Sequence, residues 1–83
     1  MLIRESLEKS PMNPNEKRLG QYLIDQGIQL ENATVRTVAK EVFLAPSSVV
    51  RFVQKLGFEG FNDFKKQYLE EIRYLSTHFQ KID

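Results

Sequence analysis

The sequence contains no cysteine among its 83 residues. Neither a disulfide framework nor a thiolate-bound zinc can hold this fold, so an apolar core has to do it alone. It also has no apolar run approaching the roughly 20 residues of a membrane span. Its start, Met1 to Glu8, alternates charge with Leu and Ile and lacks the apolar centre of a secretory signal. A cytoplasmic protein without a membrane partner is expected. The single histidine, His78, has no second histidine or cysteine to share a metal with, and it reads as an exposed helix residue. Net charge is scarce too: 12 basic against 11 acidic side chains leave +1, which alone says nothing about nucleic acid. Chain is the last thing in short supply. A single domain of this size buries about 60–65% of its unfolded surface and has little room for a substrate cavity. No nucleophile stands beside a base, no carboxylate pair is set apart, and no glycine-rich phosphate loop is present. A binding protein with no cofactor is expected, not an enzyme.

What the sequence does have is helical periodicity from end to end. Leu2, Ile3 and Leu7 fall on one face of a short helix that Pro11 closes. Asn13-Pro14-Asn15-Glu16 opens a second helix, to about Gln26: Asn13 caps it, Pro14 suits the first position and Glu16 completes a capping box. Leu19, Tyr22 and Leu23 form its inner face, Gly20 suggests close packing, and Gly27 supplies a left-handed terminator. Ile28 to Ala33 is a connection with Ile28 and Leu30 tucked inward. Thr34 caps a third helix over about Val35 to Phe43, Pro46 opens a fourth that reaches Leu56 before Gly57, and a fifth runs from Phe61 or Asn62 to about Phe79. No strand pattern survives. The fold class is all-α, a small bundle of about five helices in one domain over 1–83.

The third and fourth helices are joined so tightly that they must cross steeply, and the first needs a small residue at the crossing. Ala39 fills that position. Val38, Val42 and Leu44 face inward around it, and Val49, Phe52, Val53 and Leu56 form the inner stripe of the fourth helix. Its outer face carries Pro46, Ser47, Ser48, Val50, Arg51, Gln54 and Lys55, with Ser47, Arg51 and Lys55 in one row at four-residue steps. These side chains suit double-stranded DNA. Arg51 can fork onto guanine or hold a phosphate, the serines reach phosphate or base edges, Val50 packs on a thymine methyl, and Lys55 meets phosphate. The N–H groups near Ser47 and Ser48 suit a phosphate oxygen. Arg36 and Lys40 on the preceding helix are secondary candidates. Charge distribution agrees: residues 34–68 hold six basic and three acidic groups, while 1–33 hold four and five.

Thr34-Val-Arg-Thr-Val-Ala, followed by Val49-Val-Arg-Phe-Val-Gln-Lys-Leu-Gly-Phe-Glu-Gly-Phe-Asn-Asp-Phe-Lys65, resembles the N-terminal domain of the RpiR family of bacterial transcription regulators. The similarity takes in Asn13 to Glu16 and Tyr22, and covers about residues 10 to 70. It implies a helix-turn-helix domain that binds DNA as a homodimer. In the family such a domain is normally followed by a sugar-isomerase-type domain that binds a phosphosugar effector. Members regulate sugar-phosphate and amino-sugar catabolism, most often as repressors. The chain ends at Asp83 without that second domain, so the expectation is the N-terminal fragment of a longer regulator. Two positions depart from the family pattern. Phe43 stands where the turn usually has glycine, so a slightly different turn is expected. Ala45 stands where the recognition helix usually has a Ser or Thr cap, so its start can shift by a residue.

Other groups read more plainly. Lys65 and Lys66 are taken as solvated, and Phe58, Phe61 and Phe64 as core, not as a base-stacking platform. The apolar row from Tyr68 to Phe79, with Leu2, Ile3 and Leu7, exceeds what one small core absorbs and suggests a dimer contact. The rival reading is a helical protein–protein interaction module that holds a partner helix in an apolar groove without binding DNA. It leaves the row of Ser47, Arg51 and Lys55 unexplained.

Overall fold

The computed structural model describes residues 2–9 and 13–80, with side chains through Thr77. Five α-helices appear in chain order: α1 (Ile3–Lys9), α2 (Pro14–Gln26), α3 (Val35–Val42), α4 (Pro46–Lys55) and α5 (Phe61–Gln80). The described residues contain no strand. The expected stop of α1 at Ser10-Pro11, and the side chains of His78 and Phe79, lie outside the described residues.

Local chemistry sets most of the boundaries. Asn13 caps α2 by accepting from the Glu16 N–H at 2.8 Å, and Glu16 accepts from the Asn13 N–H at 3.2 Å. Thr34 does the same for α3 with Thr37 in the place of the usual acid: Thr34 Oγ1 accepts from the Thr37 N–H at 3.2 Å, and Thr37 Oγ1 from the Thr34 N–H at 3.0 Å. The start of α1 is capped from a distance, because the Glu71 carboxylate of α5 accepts the N–H groups of Ile3 at 2.7 Å and Arg4 at 3.2 Å.

Gly27 ends α2 at positive φ, as expected, but in the mirror image of extended backbone (φ 53°, ψ −126°), not the left-handed helical region. The segment read as a plain connection is a 3-10 helix, Gly27–Asn32. This geometry buries Leu30 completely and leaves Ile28 half exposed. With three residues per turn, positions two apart cannot share a face, so both could not tuck inward.

One core joins all the elements. Leu7, Leu19, Leu23, Leu30, Val38, Val49, Phe52, Val53 and Phe64 are all at most 3% exposed, and Gly20 is buried on the same face of α2. Phe64 sits at the centre of a ring cluster, edge-on to Phe58 at 5.3 Å and stacked on Tyr68 at 5.4 Å. Phe61 and Phe64 are buried, so they pack the core, as expected. The terminal apolar row is largely absorbed as well: Leu7, Tyr68 and Leu69 are buried, and Ile3 and Ile72 pack against them. The surplus at this end of the molecule is therefore smaller than the sequence suggests.

Candidate nucleic-acid interface

α3 and α4 are separated by Phe43, Leu44 and Ala45 alone. Ala39 is 2% exposed between them, flanked by buried Val38 and Val42 on α3 and by buried Val49, Phe52 and Val53 on α4. Every inward position read on α3, the turn and α4 is buried or packed against the core, Leu44 and Leu56 in the latter group. This sorting fixes the rotation of α4 about its axis. Its opposite face presents Ser47, Arg51, Gln54 and Lys55 exposed, with Ser48 and Val50 half-buried at the flanks.

The turn closes through a left-handed residue despite Phe43. The Phe43 N–H bonds to the Lys40 carbonyl at 3.3 Å and the Leu44 N–H to the Ala39 carbonyl at 2.9 Å, a closure that needs a left-handed residue between helix and turn. Phe43 supplies it at φ 59°, ψ 43°. The expected change in the turn does not occur, because the closing bonds and the packing of Leu44 hold the backbone there. The helix start does not shift either. Ala45 gives no side-chain cap, yet α4 begins at Pro46, whose ring presets the helical φ. The Ser48 N–H is already bonded to the Ala45 carbonyl at 2.9 Å, so of the two backbone donors read as open at this end it is Ser47 that remains.

The candidate side chains differ in how they are held. Arg51, Arg36 and Lys40 are exposed and form no ion pair among the described residues. Lys55 is tied to α2, with its Nζ 3.1 Å from Glu16 Oε1. That bond, with the Asn13 N–H and the lysine charge, holds the Glu16 carboxyl below the usual range. Gln54 donates to the Glu59 carbonyl at 3.0 Å, bracing the turn after α4. A polar groove between the start of α2 and α4 is lined by Asn13, Asn15, Glu16, Ser48 and Arg51.

Two roles were missed in the sequence. Arg18 on α2 donates through Nε (3.3 Å) and Nη2 (2.7 Å) to the Val42 carbonyl at the end of α3, while Nη1 reaches Asn15 Oδ1 at 3.2 Å. No periodicity links positions 24 residues apart. Lys65, read as solvated, is half-buried and donates to the Ala33 carbonyl at 2.8 Å, so it pins α5 to the end of the 3-10 helix. Lys66 is exposed, as expected.

Two helices crossing over an alanine, with the second sorted into an apolar inner and a polar outer face, form a helix-turn-helix DNA-binding domain. The family profile of helix-turn-helix domains of the rpiR family matches residues 1–76, and the chain belongs to that family. No solved structure matches the chain. No helix among the described residues is long and apolar enough to cross a membrane.

Proposed function

We propose that this domain reads its operator through α4, laid in the major groove, as part of a dimeric bacterial regulator of sugar-phosphate or amino-sugar metabolism. The observation that carries the reading is the sorting of α4. Val49, Phe52 and Val53 are at most 2% exposed, and Ser47, Arg51, Gln54 and Lys55 face solvent. In this reading Arg51 forks onto a base or phosphate, Ser47 and Ser48 contact phosphate or base edges, and Val50 packs on a thymine methyl. Gln54 and Lys55 line the same face, and Arg36 and Lys40 of α3 flank the backbone. The metabolic setting and a phosphosugar effector, bound by a separate domain of the longer regulator, are supported by family membership alone. Fluorescence anisotropy of a labelled duplex, titrated across a salt series, tests the reading. The wild type is expected to bind less tightly as salt rises, and Arg51→Ala to weaken binding by about 1–3 kcal/mol on a sequence containing its base, at unchanged melting temperature. Equal binding by the variant on every duplex would remove Arg51 from the interface.

Dimerisation is supported by geometry of recognition: one helix spans only a few base pairs, and paired half-sites lie about 34 Å apart. The surface proposed to meet a second copy is a groove of about 240 Å³ between α1, α5 and the end of α2, whose lining includes Arg4, Ile24, Tyr68, Glu71, Ile72 and Leu75.

A further inference from the structure

α3 and α4 end with the same pair of backbone bonds. After α4, the Gly57 N–H meets the Gln54 carbonyl and the Phe58 N–H the Val53 carbonyl, both at 3.0 Å. After α3, Phe43 and Leu44 repeat the pattern onto Lys40 and Ala39. The pivot residue must take positive φ, which glycine does without a Cβ penalty. Gly57 does so at φ 107°, whereas at the other pivot a phenylalanine is held at φ 59°. A bulky side chain is disfavoured there. The ring gains nothing inside the domain in return, since it is 87% exposed, the highest value among the exposed large hydrophobic side chains. Strain and solvent exposure thus fall on one residue.

The surroundings narrow what the ring meets. Phe43 stands three residues before Pro46, at the end of the unit that leads into α4. The other exposed large apolar groups, Leu2, Ile28 and Tyr74, belong to the chain start, the 3-10 helix and α5. Among the described residues, Phe43 is thus the one exposed large apolar side chain of α3, the turn and α4. The exposed charged side chains of α3 and α4 are Arg36, Lys40, Arg51 and Lys55 against Glu41. A lone ring in a basic setting suits a polyanion whose backbone also offers apolar sugar faces. We propose that the Phe43 ring lies against the deoxyribose wall of the groove that α4 enters, a contact that a glycine at this pivot cannot make. This rests on the reading of α4 as the recognition helix.

Two variants test it. Phe43→Gly relieves the backbone and removes the ring, so it is expected to melt at a higher temperature than the wild type. It should bind several unrelated duplexes about fivefold more weakly, with an unchanged salt slope because no charge is lost. The chain has no tryptophan, so Phe43→Trp places a single reporter at the turn, and its emission is expected to change when duplex is added. Wild-type binding with undiminished affinity in Phe43→Gly, or tryptophan emission unmoved at saturating duplex, overturns the proposal. So does a Phe43→Gly variant that changes only the sedimentation profile, which would assign the ring to a second copy of the chain. A wild type that binds no duplex at any salt would remove the α4 reading first, and this contact with it.

Discussion

The Val42 carbonyl closes α3 just before the backbone turns left-handed at Phe43, and both N–H groups that meet it come from one guanidinium on another helix. Arg18 thereby satisfies a helix-end acceptor and fixes α2 against the turn that aims α4. Arg18→Met keeps the apolar stem and deletes the donors. The expected result is a lower urea midpoint at unchanged slope, equivalent to about 1–2 kcal/mol. An unmoved midpoint would leave the bond as a surface contact without weight. Caps such as Asn13 with Glu16 were legible in the sequence because both partners lie within one turn. Arg18 was not, because its acceptor is a backbone atom brought near only by the fold. At Phe43 the residue type argued against a left-handed turn, and the closing bonds of the surrounding backbone prevailed.

At the scale of the element, α2 and α4 are coupled through Glu16, whose Oε1 serves both the α2 cap and Lys55. Its carboxyl titrates below the ordinary value, first because of the Lys55 hydrogen bond and then because of the Asn13 N–H. A depressed carboxylate adds stability that is fully present above its unfolded pKa of about 4.3 and is lost as pH falls through the lower folded value. The effect is modest, since solvent screens the pair. Glu16→Gln can still cap Asn13 but cannot pair with Lys55. Its thermal stability is expected to fall less steeply than the wild type's below about pH 4, and identical acid limbs would show that the pair contributes nothing. The faces of α2, α3, α4 and α5 were all readable from apolar spacing. The 3-10 helix was not, because six residues with two apolar positions carry too little period to separate it from a loop.

Across the whole molecule, the candidate DNA face belongs to α3 and α4, and the apolar groove to α1, α5 and the end of α2, so one copy can offer both surfaces at once. The core takes most of the terminal apolar row. What remains on the terminal helices is half-buried Leu75 in the groove wall, with exposed Leu2 at 39% before α1 and Tyr74 at 63% on α5. Their burial in a dimer would place a second α4 at a fixed spacing from the first, the arrangement that two half-sites one helical turn apart require. Leu75→Glu puts a charge on the groove wall while leaving the fully buried residues untouched, so its melting curve serves as a check that the fold persists. Sedimentation of the wild type is expected to shift from monomer towards dimer as concentration rises, and the folded Leu75→Glu variant to remain monomeric over the same range. A wild type that stays monomeric at high concentration would separate dimerisation from these helices. A variant that dimerises as the wild type does would move the contact to another face of the domain.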